Sequence, residues 1–153
     1  MAPRSPTRLK LLLPPARASV TARKALGRRL RDRLPRKDQG RWTQKPRGDE
    51  FVGHLKAAVS GRRADLLPLR WGRMAASPFA FYRGTAALMA EDVGPLPTCG
   101  LEVQVSGDAH LLNLGAYAGP EGELVFDLDD FDETCRGPFE WDLKRLAASL
   151  VIG

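Results

Sequence analysis

Cysteine is scarce in this sequence, and where it occurs it is isolated: Cys99 and Cys135 are the two thiols in 153 residues. There is no C-x-x-C pair and no cluster of His and Cys at metal-ligand spacing, which excludes the usual zinc motifs and a disulfide framework. With no export signal to carry them out of a reducing compartment, both thiols are expected to stay reduced and the chain to be cytoplasmic. Long apolar runs are missing too. Leu11-Leu12-Leu13 meets Pro14-Pro15 at once, far short of a signal-peptide core or of the roughly 20 apolar residues that cross a bilayer. No internal repeat or long low-complexity tract is present.

Acids are nearly absent from the first third of the chain. Residues 1–48 hold 15 Lys and Arg against Asp32 and Asp38, whereas the remaining 105 residues carry nine basic and 16 acidic side chains. The pI of 9.8 therefore belongs to the N-terminal arm. Such an arm is expected to be a solvated, disordered leader whose charge suits weak attraction to an anionic partner, a nucleic-acid backbone or an anionic membrane surface. The expected division is a basic arm at 1–48 and one folded domain at 49–153. With 43% hydrophobic and 27% charged residues, the composition is that of a globular chain of single-domain length.

Periodicity and punctuation place the elements. Val20 to Leu34 reads as a basic helix stopped by Pro35, and 50–60 as a short amphipathic helix ended by Gly61. Asp65 to Ala76 predicts a helix interrupted near Pro68. Ser77-Pro78 is a helix-start signal, with Ser as cap and Pro in the first turn, for a segment running to Ala90. Pro138 opens a last helix expected to turn Leu143, Leu146, Ala147 and Leu150 inward.

The most informative stretch is Val103 to Asp132, VQVSGDAHLLNLGAYAGPEGELVFDLDDFD. Leu101, Val103 and Val105 alternate with polar residues, the period of a half-buried strand. Gly107 turns the backbone, and Asp108 and His110 lie on the loop it opens. Leu111 to Tyr117 predicts a second strand, a Gly-Pro-Glu-Gly turn follows, and Leu124 to Leu128 returns as a third, buried up to Asp127. In this layout Asp108 can face a substrate hydroxyl. Asn113 and Asp127, with Asp129 as the substitute on the same strand face, can hold Mg²⁺, which prefers oxygen ligands. Each also has an ordinary reading: Asp108 as a turn aspartate, Asn113 as a strand-edge residue, and His110 as a neutral side chain holding the loop. Asp142 can take backbone N–H groups of that loop or simply begin its own helix. Arg73 and Arg83 can reach a phosphate or pair with the acidic cluster.

Gly107, Asp108, His110 and Asn113, a hairpin, and then Val125-Phe126-Asp127 resemble the catalytic loop and metal-binding aspartate of protein-kinase-like phosphotransferases, especially the aminoglycoside and choline branch. Gly137-Pro138-Phe139-Glu140-Trp141-Asp142-Leu143 is similar to their later D-P-x-x-D-L-A motif, with Gly in place of the first Asp. Ser106 stands where those families often have His. The segments LPLRWGRMAASPFAFYRGTAALMAEDV, GDAHLLNLG, VFDLDDFDET and GPFEWDLKRLAASLV are more closely similar to a bacterial family, domain of unknown function 2252.

These resemblances imply an α+β, incomplete kinase-like fold, with the catalytic-loop hairpin packed among helices. They imply Mg²⁺ and ATP as cofactors, Asp108 as base and a hydroxyl-bearing acceptor. Members of that family are much longer, and a glycine-rich loop and a strand lysine lie downstream in them. Here no G-x-G-x-x-G occurs, and beyond residue 50 only Lys56 and Lys144 remain. The expectation is an N-terminal fragment of a phosphotransferase, inactive alone. The alternatives are a non-catalytic pseudokinase, a basic nucleic-acid-binding module, and a haloacid-dehalogenase-like phosphatase built on the D-x-D-x-T of Asp130, Asp132 and Thr134.

Overall fold

Ser19 takes the N–H of Ala22 on its hydroxyl at 3.2 Å and so starts helix α1, Val20–Arg33. In the computed structural model, which describes residues 18–42, 48 and 50–153, this helix buries Leu26 alone. The Leu11–Pro15 run and the rest of the first 17 residues lie outside the described residues. Pro35 ends the basic helix, and a single turn, α2 (Arg36–Gln39), follows. Helix α3 spans Glu50–Ala57. A 3-10 turn over Ala64–Leu66 leads into α4 (Leu67–Met74), with Pro68 in the first turn, where its missing N–H costs nothing.

The Ser77-Pro78 signal acts as expected: the Ser77 hydroxyl accepts the Ala80 N–H at 3.0 Å. The helix it starts stops sooner than the apolar spacing predicts, and α5 (Pro78–Arg83) and α6 (Ala86–Val93) are separate helices. Gly84 breaks them, and a side chain there would meet Met74. His54 on α3 bonds Glu91 on α6 at 2.7 Å. Among the described residues no helix is long and apolar enough to cross a membrane.

Two small antiparallel sheets complete the α+β fold. Strand β1 (Glu102–Val105) pairs with β4 (Cys135–Pro138), Val105 opposite Cys135. Strands β2 (Leu114–Ala118) and β3 (Leu124–Leu128) form the hairpin, with Gly115 opposite Asp127. Leu111–Asn113, read from sequence as part of the second strand, is a 3-10 turn. The expected burial of the third strand is corrected: Leu124 is 82% and Phe126 69% exposed. On the register, both lie on the Leu114–Ala116–Ala118 side of a two-stranded ribbon, and a lone ribbon has no second layer to cover that side.

The last helix, α7 (Glu140–Ile152), forms where Pro138 announces it, but in a different rotational setting. Leu143 and Leu150 are 50% and 60% exposed, whereas Glu140, Arg145 and Ser149 are buried. Its inward stripe is polar. Leu88, Val93, Val105 and Ala109 supply apolar interior around it.

Candidate functional site

The polar stripe of α7 grips the segment 99–111 in chain order. A Glu140 carboxylate oxygen accepts the Cys99 N–H at 2.7 Å. Asp142 accepts the N–H groups of Ser106 and Gly107 at 2.7 and 3.1 Å, one on each oxygen. Arg145 donates to Asp108 Oδ1 at 2.5 Å. Ser149 accepts the Leu111 N–H at 3.0 Å. Hydrogen bonds to charged groups stabilise by about 1.5–3 kcal/mol each when water is excluded, so this row, rather than an apolar seam, locks the loop to the helix.

Gly107 is required at the turn for two reasons. Its φ is +85°, the left-handed region, and a side chain built there would run into the backbone carbonyl of Glu133. Asp108 follows. Its side chain is 11% and that of Arg145 3% exposed, a buried ion pair. Arg145 also donates to the Tyr82 carbonyl at 2.9 Å and lies 4.3 Å from the centre of the Tyr82 ring. The Tyr82 hydroxyl in turn donates to the Arg145 carbonyl at 2.7 Å. The other carboxylate oxygen, Asp108 Oδ2, carries no hydrogen bond among the described residues, and His110 Nε2 lies 3.9 Å from it.

His110 is 2% exposed, in a T-shaped contact with Phe79 at 6.2 Å between centroids. Its Nδ1 is buried without a partner. Burial, the largest influence, lowers its proton affinity below the ordinary imidazole value; Asp108 opposes this, and Arg83 and Arg145 add to it. A neutral ring in the loop's floor is the outcome. The loop closes on itself through Asn113, whose Nδ2 donates to the Asp108 carbonyl at 3.0 Å.

The hairpin continues the site. The Asp129 N–H donates to the Asn113 carbonyl at 3.0 Å, so 113 and 129 extend the pairing of 115 with 127. Asn113, Gly115, Asp127 and Asp129 therefore share one face, and a side chain at Gly115 would meet the Asp129 carboxylate. Asp127 and Asp129 are exposed, and Asp127 Oδ1 accepts the Leu128 N–H at 2.8 Å. The Asn113 side chain, by contrast, is turned inward to the loop. Among the described residues no group of three or more His, Cys, Asp or Glu is arranged to hold a metal.

Arg83 lines a cavity beside the Gly107 turn, and Arg73 a neighbouring surface groove. Asp130–Thr134 is the turn between β3 and β4, and the Thr134 hydroxyl donates to the Val105 carbonyl at 2.6 Å. Sequence reasoning missed Arg145, Glu140, Ser149 and Tyr82. The available signal was the spacing 140, 145, 149, a polar row on one helix face, which the intervening leucines obscure.

A family model described as "Uncharacterized protein conserved in bacteria (DUF2252)" matches residues 62–153. No curated protein and no solved structure matches the chain.

Proposed function

We propose, from the premise that this chain belongs to the bacterial family DUF2252, that residues 107–129 are the acceptor and metal side of a Mg²⁺- and ATP-dependent phosphotransferase of kinase-like type, without turnover from this chain alone. The observation carrying the reading is the hairpin register, which puts Asp127 and Asp129 on one exposed face and position 113 opposite 129, with the Asn113 side chain turned toward the loop bearing Asp108. These donors fit the ion: they offer oxygen, and among the described residues the Asn113 Oδ1 accepts no hydrogen bond while its Nδ2 is engaged. Mg²⁺ keeps several waters and commonly needs one or two carboxylates rather than a full protein cage. When bound, it supplies charge neutralisation for the β- and γ-phosphates of ATP.

The chain's own residues do the positioning. Arg145 holds one oxygen of Asp108 and leaves Oδ2 to orient the hydroxyl of an acceptor and take its proton. Asp142 fixes the turn through two backbone N–H groups, and the Asn113 amide braces the loop from inside. The absence of a G-x-G-x-x-G and of a strand lysine in this sequence is the reason for proposing no turnover.

A second reading, a non-catalytic module, is favoured by one observation. Asp108 sits in a buried pair with Arg145, an arrangement that serves structure without any chemistry. One experiment separates the two. In a family member that carries the same loop together with a glycine-rich loop and a strand lysine, the change equivalent to Asp108→Asn is expected to lower kcat by roughly 10²–10⁴-fold. A loss below about threefold would reject the base role and leave the structural one. In the present chain, Mn²⁺ added as a paramagnetic probe is expected to broaden the amide signals of 113, 127 and 129, and Asp127→Asn to abolish that. Uniform broadening across all acids would sink the metal assignment.

A further inference from the structure

Beside the Gly107 turn lies a cavity of about 300 Å³ with a marked charge imbalance. Arg62, Arg70, Arg83 and Arg145 line it, and Glu133 is its single acidic lining residue. Asp108, behind the wall, neutralises Arg145. Counting the lining and Asp108 alone, two acids face four guanidinium groups, an excess of two positive charges.

The donors are also unfinished. Arg70 gives one Nη to the Gly84 carbonyl at 3.1 Å, while its Nε is buried and has no partner. Burial and the neighbouring charge of Arg62 both make the protonated form of Arg70 harder to hold, with Glu133 opposing. Among the described residues Arg62 and Arg83 make no ion pair. The first turn of α6 contributes Ala86 and Ala87 to the same cavity, and no side chain caps it. The Thr85 hydroxyl is turned back onto the carbonyls of Phe81 and Tyr82 instead. Uncapped N–H groups at a helix start add to the attraction for an anion. A buried donor without an acceptor is unfavourable until an acceptor arrives.

We propose that this cavity binds the phosphoryl group of a small phosphomonoester. Guanidinium forks match tetrahedral oxyanions in geometry, and an excess of two positive charges matches a dianion. Ala87, Ala90 and Trp141, which also line the cavity, offer an apolar bed for the short body of the ester. The volume lies at the small end of ligand pockets, which excludes a large polyanion from entering whole. The inference does not depend on the phosphotransferase reading: a protein that transferred nothing would still carry this pocket, and no metal takes part in it.

The test is calorimetric titration of the purified chain with inorganic phosphate and with phenyl phosphate, at constant ionic strength and without Mg²⁺. Saturable single-site binding is expected, tighter for phenyl phosphate. Arg62→Ala, at an exposed position, should weaken it by about tenfold or more, the effect of losing one charge-assisted hydrogen bond. Ala87→Glu, also at an exposed position, should abolish it by placing a carboxylate in the cavity. Arg29→Ala, on exposed α1 and outside the cavity lining, should change affinity by less than about twofold. The proposal is overturned if neither ligand saturates, if Arg62→Ala and Ala87→Glu both leave affinity unchanged, or if Arg29→Ala weakens binding as much as Arg62→Ala. The last result would mean diffuse surface attraction.

Discussion

Replacing Arg145 by Met keeps much of the side chain's length and apolar bulk while removing its charge, which isolates the electrostatic contribution of the Asp108 pair. Asp108 would be left as a carboxylate with 11% of its side chain exposed and its partner gone. Removing one member of a buried pair destabilises by about 3–5 kcal/mol, because the remaining charge has lost both water and counter-charge. Loss of the bond to the Tyr82 carbonyl and of the guanidinium over the Tyr82 ring acts in the same direction. A domain of this size is stable by about 5–15 kcal/mol, so the variant should fold marginally.

The double variant Asp108→Asn/Arg145→Met should recover part of the loss, since no uncompensated charge remains, with a coupling of about 1–3 kcal/mol. Arg145→Lys should lie between wild type and Met, as it restores charge without the planar fork. Urea unfolding followed by circular dichroism of wild type, Arg145→Met, Arg145→Lys, the single Asp108→Asn and the double variant gives all five free energies by linear extrapolation. A cost below about 1 kcal/mol for Arg145→Met, or simple additivity in the double variant, would refute the claim that this pair organises the loop.

Two further outcomes follow from the same geometry. Asp142→Ala removes the acceptor of two backbone N–H groups, and with no replacement it should cost about 2–4 kcal/mol, allowing for partial entry of water. Amide exchange at Ser106 and Gly107 should accelerate far more than at β3; equal acceleration everywhere would show that Asp142 does not hold the turn. His110 gives a pH signature. Its folded-state proton affinity lies below the ordinary 6.5, so the unfolded chain takes the proton first. Its contribution to stability is fully present above about pH 6.5 and is lost as pH falls toward the folded-state value. Chemical unfolding at a series of pH values should show stability falling on acidification more steeply in wild type than in His110→Gln. Burial raises the proton affinity of Glu133, and its contribution is lost as pH rises, so the informative quantity is the difference in slope between the variants. Identical slopes would place His110 in water.

Much of the local structure was legible because local physics decides it. Ser77 caps its helix through a contact three residues away, Pro35 stops the basic helix, and the alternation through Val103 and Val105 marks a strand. The Gly107–Asn113 loop was likewise visible as a turn bearing an acid, an imidazole and an amide. The partner of β1 was not. Cys135–Pro138 has the composition of a turn, and it becomes strand β4 through pairing with a segment some 30 residues earlier.

The amino-acid order alone determined where α1, α3, α5, β1 and β3 begin, which stretch collects the chemistry, and that the basic charge lies at one end. Tertiary structure alone decided which way α7 faces. Its leucines argued for one setting, yet Glu140, Asp142, Arg145 and Ser149 find donors and acceptors on the segment 99–111 and turn inward. A polar side chain can be buried only when its partners are already in place, and those partners, backbone N–H groups and the Asp108 carboxylate, lie more than 30 residues away. The neighbours of Asp108 were therefore fixed by the packing of that helix, not by anything written beside Asp108 in the sequence.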